Sequence, residues 1–224
     1  MTLRQGDFTL SADIAIAAGE TTALIGPSGA GKSTLLAAIA GFLPPAKGRM
    51  RWHDDDLTNR APGDRPVSVL FQDNNLFPHL TAAQNVGLGL HPGLRLSAEQ
   101  KGAVAEALAA VGLDAMGDRR PADLSGGQQG RVALARVLVA DRPIVLLDEP
   151  FAALGPAMKH EMLDLVQGKL TAAGKTVVMV THDPGDARRV ADAAVLIADG
   201  VAQAPVATAD LLDNPPPALA RYLG

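Results

Sequence analysis

Residues 26–34 read Gly26-Pro27-Ser28-Gly29-Ala30-Gly31-Lys32-Ser33-Thr34 and match the phosphate-loop pattern G-x-x-x-x-G-K-[ST] throughout. The three glycines allow the main chain to curl so that successive N–H groups point inward at an anion. The motif works only between a strand and a helix. Both are predicted here, because the apolar run Thr21–Ile25 precedes it and a helical pattern over residues 33–40 follows.

Two side chains of this loop predict the chemistry of the bound anion. Lys32 supplies a positive charge for the β- and γ-phosphates of a nucleotide, and the hydroxyl of Ser33 suits a magnesium ion. The dipole of the following helix favours negative charge at the same place. The sequence therefore predicts a nucleoside triphosphate site.

A second apolar run, Ile144–Leu147, ends in the acids Asp148 and Glu149. Ligands of parallel sheets lie at the carboxyl ends of the strands, so both carboxylates are expected beside the phosphates. Asp148 is predicted to hold magnesium, and Glu149 to polarise a water molecule for attack on the γ-phosphate. The alternative is that Asp148 only caps a turn.

Two further polar residues follow predicted strands. His182 comes after the run Thr176–Val180 and is predicted to donate a hydrogen bond to the γ-phosphate. Gln72 ends the run Val67–Phe71 and is a candidate to ligate magnesium or to position water, although an ordinary surface glutamine fits its spacing equally. The continuous apolar runs named so far, together with Ala193–Ile197, are typical of strands buried on both faces. They predict a mainly parallel sheet.

Between residues 82 and 140 the sequence is rich in Ala, Leu, Glu and Gln, which predicts a helical lobe inserted into the sheet domain. Ser97 and Gln100 have the spacing of a capping box at the start of one such helix. We expect one domain over residues 1–224, with a core lobe at about 1–81 and 141–224. The tail after residue 215 is expected to be loop, with at most a short helix at its end.

A second anion site is predicted at Leu124-Ser125-Gly126-Gly127-Gln128, because Ser125 can cap a helix over residues 129–140 and the glycines leave its start open. One chain that binds one nucleotide needs only one such site. Two chains that complete each other's sites would use both. A kinase with a phosphate loop would leave the second site without a role.

In their order and spacing, these motifs resemble those of an ABC-transporter ATPase over nearly the whole chain. The resemblance implies a phosphate-loop NTPase core with an antiparallel N-terminal β portion, and ATP with Mg2+ as ligands. It also implies that two copies sandwich two ATP molecules, so that Ser125, Gly126, Gly127 and Gln128 contact the γ-phosphate held by the other chain. The remaining implied site residues are Lys32, Ser33, Thr34, Gln72, Asp148, Glu149 and His182.

Residues 65–77, 84–90 and 92–96 resemble the ATPases of bacterial thiamine importers. This implies uptake of thiamine or its phosphates through permease subunits, with a periplasmic binding protein, at the cytoplasmic face of the inner membrane. Leu76, Phe77 and Leu80 suit permease docking, or else an inter-lobe core. Other small solutes such as iron, molybdate or polyamine remain open, as does a soluble ABC ATPase, although the latter usually has long inserts or two fused domains.

Three positions depart from the family pattern. Gln5 stands near where an aromatic side chain usually stacks on adenine, and Phe8 is the available substitute. After Glu149 the family commonly reads Ser-Ala-Leu-Asp, whereas this chain reads Ala152-Ala153-Leu154-Gly155 and lacks the carboxylate. Gly130 lies early in the predicted signature helix, at a cost of roughly 1 kcal/mol relative to alanine.

The composition limits the other possibilities. The 224 residues carry a net charge of −4, which does not favour nucleic acid or anionic lipid as a partner. The chain has no cysteine, so disulfides and thiolate metal sites are excluded. No apolar run is long enough to span a bilayer, and the N-terminal stretch is not expected to be a signal peptide.

Overall fold

The computed structural model describes residues 1–152 and 154–223, and its centre is a mainly parallel β-sheet. The strands are β1 (Thr2–Gln5), β2 (Phe8–Ala12), β3 (Thr21–Ile25), β4 (Arg51–Trp52), β5 (Asp55–Asp56), β6 (Val67–Leu70), β7 (Ile144–Asp148), β8 (Thr176–Val180), β9 (Ala193–Ala198), β10 (Val201–Ala202) and β11 (Val206–Ala207). The larger sheet has the order β1-β2-β10-β9-β3-β8-β7-β6, with β11 on β9, while β4 and β5 pair separately.

The parallel part of the sheet comprises the five neighbouring strands β9, β3, β8, β7 and β6. Residues of β3 and β8 are buried along their whole length, which explains why these strands are apolar at successive positions. The antiparallel pair β1–β2 joins the sheet through β10. This arrangement confirms the predicted α/β class with an antiparallel N-terminal portion.

Helices cover both faces of the parallel strands. They are α1 (Lys32–Ala40), α2 (Ala82–Gly87), α3 (Ala98–Ala110), α4 (Gly126–Ala140), α5 (Pro156–Lys169), α6 (Pro184–Val190), α7 (Thr208–Asp213) and α8 (Pro217–Leu223), with 3-10 turns at Pro62–Asp64, Pro121–Asp123 and Thr171–Ala173. Within the described residues, every helix is too short or too polar to span a lipid bilayer.

The helix after the second anion motif starts earlier than its sequence predicts. Helix α4 begins at Gly126 and not at residue 129, so both glycines form its first turn. The side chain of Ser125 accepts a hydrogen bond from the amide of Gln128, and the Gln128 side chain accepts one from the amide of Ser125. This reciprocal pair offsets the low helix propensity of glycine. The capping box predicted at Ser97 and Gln100 is confirmed.

A buried arginine fixes the far end of the phosphate-loop helix. Arg65 is 1% exposed, and its Nη1 donates to the carbonyl oxygens of Ala38 and Ile39 at 2.7 and 2.8 Å. These carbonyls lie at the C-terminus of α1, where the helix leaves acceptors unpaired and the dipole favours a cation. Gly41 has φ of 92°, and a Cβ there would lie 2.6 Å from Nε of Arg65. The close approach therefore needs glycine.

Helices α2, α3 and α4 pack on one another within residues 82–140. Their apolar side chains belong to the same buried cluster as Leu147 of β7 and Met179 of β8. The division into a core lobe and a helical lobe remains a prediction. The tail after residue 215 contains one short helix, α8, as the sequence allowed, and α7 precedes it at Thr208–Asp213.

Candidate functional site

The phosphate loop turns from β3 into α1 through glycines that no other residue can replace easily. Gly26 has φ of 154°, and a Cβ there would lie 2.0 Å from the carbonyl oxygen of Ile197. Gly31 has φ of 105° and caps α1, and its Cβ would lie 2.8 Å from the ring of Phe8. The loop is thus held tightly between β9 and the N-terminal hairpin.

A cleft of about 580 Å³ opens over this loop. Its wall includes the sequence-predicted residues Ser28, Gly29, Gly31, Lys32, Ser33, Thr34, Glu149 and His182, together with Gln5, Phe8 and Tyr222. The loop and the ends of β7 and β8 therefore meet at one site, as the parallel topology predicts. The concave shape and the glycine-rich loop at the start of α1 suit a phosphate-bearing ligand.

Lys32 is buried at the base of the cleft and is bound to the loop itself. Its Nζ donates to the carbonyl oxygens of Gly26 and Pro27 at 2.8 and 2.9 Å. An ammonium group has three donors, so one is left for a phosphate oxygen. Burial lowers the pKa of Lys32 from its ordinary value, while the negative charges of Glu149 and Asp148 oppose that shift.

The hydroxyl of Ser33 donates to Oδ1 of Asp148 at 3.1 Å, which joins the loop to the end of β7. A hydroxyl beside a carboxylate is the kind of oxygen pair that Mg2+ takes from a protein, since this ion prefers oxygen ligands and keeps several waters. The residues therefore fit the ion. Burial raises the pKa of Asp148, the Ser33 hydrogen bond lowers it, and the neighbouring Glu149 and Lys32 act in opposite directions.

Glu149 has an unusual main-chain conformation. Its φ is 44°, in the left-handed region that favours glycine, and its amide donates to the carbonyl oxygen of Val180 at 3.1 Å. Its carboxylate oxygen Oε2 lies 3.4 Å from Nδ1 of His182. Strained main chain of this kind costs about 1–3 kcal/mol and concentrates at functional sites. Here it places the acid beside the histidine at the cleft.

The turn that carries His182 is tied to helices α5 and α6. The amide of Asp183 donates to Oγ1 of Thr181 at 3.1 Å, and that hydroxyl donates to Oδ2 of Asp186 at 3.2 Å. Lys159 of α5 forms ion pairs with Asp183 and Asp186. The hydrogen bond from Lys159 is the main cause that lowers the pKa of Asp183 from its ordinary value.

The N-terminal hairpin closes the opposite end of the cleft. Oγ1 of Thr34 donates to Oε1 of Gln5 at 3.2 Å, so Gln5 binds the start of α1. The ring of Phe8 packs against Gly31 and is partly buried among the apolar residues beneath the loop. The structure thus places Phe8 at the cleft wall. The sequence analysis proposed this residue as the substitute for the aromatic side chain that stacks on adenine.

Tyr222 is a cleft residue that the sequence analysis missed. It comes from α8, and its hydroxyl donates to the carbonyl oxygen of His182 at 2.8 Å. Burial raises the pKa of this phenol, and the charges of Glu149 and Asp183 add to the effect. The one signal in the sequence is that Tyr222 is its single tyrosine.

Other predicted residues lie outside the cleft wall. Gln72 follows β6 and is exposed, and Asp148 reaches the cleft through Ser33. Residues Ser125–Gln128 form the start of α4 and do not line this cleft. Farther along α4, Arg136 donates at 2.8 Å to the carbonyl oxygens of both Asn74 and Asn75, in the loop after Gln72.

The segments after Glu149 and around Gly127 show two close relationships. A Cβ on Gly127 would lie 1.8 Å from Sδ of Met158, so the Met158 side chain of α5 occupies the space beside residue 127 of α4. Gly155 caps α5 with φ of −65° and ψ of 157°, next to Pro156 at the first helical position. Residues 152–155 differ from the family pattern, and of these Ala153 lies outside the described residues.

The sequence is similar to proteins of known family. The model of the ABC transporter family matches residues 10–152. The chain is 62% identical to "Thiamine import ATP-binding protein ThiQ" of Cereibacter sphaeroides over 222 residues, 99% of this chain and 96% of that protein. It is 59% identical to the protein of that name in Ruegeria sp., with the same coverage, and 51% identical to that of Brucella suis over 98% and 91%.

Solved structures give the same result for the fold. The ADP conformation of the ATP-binding cassette MJ1267 superposes with a TM-score of 0.88 at 26% identity, over 100% of this chain and 96% of that one. A dimeric post-hydrolysis state of the cassette MJ0796, bound to ADP and Pi, gives 0.78 at 33% identity over 92% and 95%. This sequence, with its phosphate loop, cleft and sheet order, belongs to the ABC transporter family.

Proposed function

We propose that this chain is the ATP-binding and hydrolysing subunit of an ABC importer that takes up thiamine or its phosphates. The observation that carries the proposal is the 62% identity with a thiamine import ATP-binding protein across 99% of the chain. The cleft supports it, because the phosphate loop, its lysine, a hydroxyl–carboxylate pair and an acid–histidine pair lie around one space.

In this proposal the loop amides and Lys32 hold the β- and γ-phosphates of ATP. Ser33 and Asp148, with Gln72, would hold Mg2+, which neutralises phosphate charge when bound. Glu149 accepts the proton of the water whose oxygen attacks the γ-phosphorus, while the bond to the bridging oxygen of ADP breaks. His182 donates a hydrogen bond to the γ-phosphate, and its contact with Glu149 keeps both groups at one place.

The functional unit would be a dimer of two such chains. Residues Ser125–Gln128 carry a capped helix start with amides suited to an anion, yet they do not line this chain's own cleft. Their motif therefore has a use if it binds the γ-phosphate held by the second copy. The solved relative MJ0796, at 33% identity, is dimeric in its post-hydrolysis state.

The same unit would bind permease subunits at the cytoplasmic face of the bacterial inner membrane, with a periplasmic binding protein on the other side. Phe77 is 48% exposed and suits such docking, whereas Leu76 packs partly against the core. Phe42, which is 58% exposed, lies 6.1 Å from Phe71 between ring centroids and extends the apolar surface near β6. The helical lobe at about 82–140 is proposed to form one side of the docking groove.

The test is uptake of labelled thiamine at low external concentration in a strain that lacks the gene. We expect uptake to stop, and to return with the plasmid-borne gene and with Lys101→Ala, an exposed lysine on α3, but not with Lys32→Ala. Excess external thiamine should restore growth. Unchanged thiamine uptake in the deletion strain, with loss of iron, molybdate or polyamine uptake instead, would refute the cargo while keeping the motor.

A further inference from the structure

The C-terminal helix α8 reaches the hydrolytic end of the cleft through one side chain. The hydroxyl of Tyr222 donates to the main-chain carbonyl oxygen of His182 at 2.8 Å, and the ring lines the same cleft as Glu149 and Lys32. Helix α8 lies far along the chain from the phosphate loop and from the strand that carries Glu149. The contact therefore connects the tail of the chain with the site.

Packing holds the ring in this position. Leu219, three residues before Tyr222 and on the same side of the helix, is fully buried with Ala187 of α6 and Leu211 of α7. Tyr222 itself is partly buried against this cluster. A helix anchored in this way presents the hydroxyl at a fixed point, so the hydrogen bond constrains its acceptor.

The acceptor belongs to a turn that is already tied on both sides of His182. Thr181 and Asp183 bind each other through the Asp183 amide, and Lys159 and Asp186 hold this pair from α5 and α6. The carbonyl of His182 lies between these ties, and Tyr222 binds it. What is left to move is the imidazole, which is 56% exposed and lies 3.4 Å from Glu149.

We propose that Tyr222 is a positioning residue for ATP hydrolysis, whose hydroxyl fixes the main chain of His182 and thereby directs the imidazole toward Glu149 and the terminal phosphate. The proposal rests on the roles given above to Glu149 and His182. A neutral hydrogen bond of this kind corresponds to a change of about threefold to tenfold in a rate that depends on it. Tyr222 touches no reacting atom in this scheme.

The decisive variant is Tyr222→Phe, which keeps the ring and its packing and removes the hydroxyl alone. We expect kcat for ATP hydrolysis to fall about threefold to tenfold, with KM for ATP unchanged. Without nucleotide, the main-chain amides of residues 181–183, 185 and 186 should exchange hydrogen faster, because the turn has lost one hydrogen bond. Arg221→Ala, an exposed change on the same helix, is the matched control and should alter neither quantity.

A double-mutant comparison separates positioning from general loosening. If the hydroxyl acts through His182, Tyr222→Phe should cost nothing further in a His182→Ala background. Equal losses in both backgrounds would overturn the proposal, as would wild-type kcat in Tyr222→Phe. The proposed function fails separately, if Glu149→Gln stays fully active. In that case the hydrogen-exchange measurement still decides whether Tyr222 restrains the turn, and unchanged exchange would also overturn the proposal.

Discussion

The carboxylate of Glu149 and the imidazole of His182 face each other at 3.4 Å, and the acid is held there by a left-handed main chain with φ of 44°. The two residues come from different strand ends, β7 and β8, that pair in parallel. The amide of Glu149 binds Val180, two residues before His182, so the strand pairing itself sets their separation. The positive φ then turns the Glu149 side chain away from the strand direction.

This geometry predicts that Glu149→Gln abolishes turnover and leaves ATP binding intact, because the amide keeps the shape of the side chain and removes the base. The variant should accumulate as an ATP-bound dimer in gel filtration with Mg-ATP. Glu106→Gln, at an exposed position of α3, should hydrolyse ATP normally. A Glu149→Gln protein that stays monomeric with Mg-ATP would contradict the sandwich arrangement.

Gln5, which accepts a hydrogen bond from Thr34, stands where an aromatic ring would stack on the nucleotide base, and this predicts weak discrimination between ATP and GTP. Gln5 offers no ring for the base, and stacking on an aromatic side chain is worth about 1–3 kcal/mol in nucleic-acid systems. GTP should therefore compete with ATP within roughly tenfold in a displacement assay, a difference of about 1.4 kcal/mol. Gln5→Tyr should tighten ATP binding and Gln5→Leu should not. A strong ATP preference in the natural chain would show that Phe8 or another ring stacks on adenine.

At the start of α5, Gly155→Asp is predicted to strengthen the ATP-driven dimer. The residue has φ of −65°, and a Cβ there meets no atom within 4 Å, so aspartate fits without strain. A carboxylate can accept hydrogen bonds from the opposite chain, and recovery of about 1.4 kcal/mol would give up to about tenfold in dimer affinity. Sedimentation in the Glu149→Gln background measures this effect.

The matched control for that substitution is Gly155→Asn. Position 155 is the N-cap of α5 and lacks a side-chain cap, so both Asp and Asn should raise the stability of the single chain. Only aspartate adds the charge that the second copy would bind. Equal dimer affinities for the two variants would mean that helix capping, and not a contact between chains, explains any gain.

Met158 gives Gly127 a packing role that is separate from any contact with nucleotide. Since a Cβ on residue 127 would lie 1.8 Å from Sδ of Met158, Gly127→Ala must displace that side chain. Met158 is flexible and 37% exposed, and alanine gains about 1 kcal/mol of helix propensity at residue 127, so we expect a small net loss of stability, below about 1 kcal/mol. Chemical denaturation of Gly127→Ala with and without Met158→Ala tests this, and a double variant no more stable than the single one would contradict it.

The phenol of Tyr222 should titrate above the ordinary tyrosine pKa of about 10, because burial and the charges of Glu149 and Asp183 disfavour the phenolate. A raised pKa means that this contribution to stability is complete below the unfolded value and is lost as pH rises through the folded value. The chain has one tyrosine, so the near-ultraviolet phenolate absorbance reports on it alone. Glu149→Gln should lower the midpoint, and an unchanged midpoint would mean that the acid does not act on the phenol.

The central strands could be predicted from sequence because each is a short continuous apolar run, and β3 and β8 have the predicted bounds. The phosphate loop and the strand-end acids could be predicted because the carboxyl ends of parallel strands lie at the same edge of the sheet. Helix α4 was placed three residues late, since glycine propensity alone gives no weight to the reciprocal Ser125–Gln128 cap. The predicted roles of the site residues remain to be tested.

Contacts between residues far apart in the chain could not be predicted, because they produce no periodic pattern in the sequence. Arg65 is a buried cation whose partners include carbonyls at the end of α1, more than twenty residues earlier in the chain, so its place under α1 is visible only in three dimensions. The same holds for Tyr222, whose partner is forty residues earlier in the chain. The Tyr222 contact depends on how α8 packs on α6 and α7, which local patterns do not determine.

Helix α4 joins two loops in a way that gives it a mechanical role. Arg136 binds Asn74 and Asn75, and the same helix carries Ser125 at its tip, about 16.5 Å away at 1.5 Å per residue. Both asparagines have positive φ, so the loop presents two adjacent carbonyls to one guanidinium. Because the helix is continuous between these two points, the contact of Arg136 couples the position of this loop to that of Ser125.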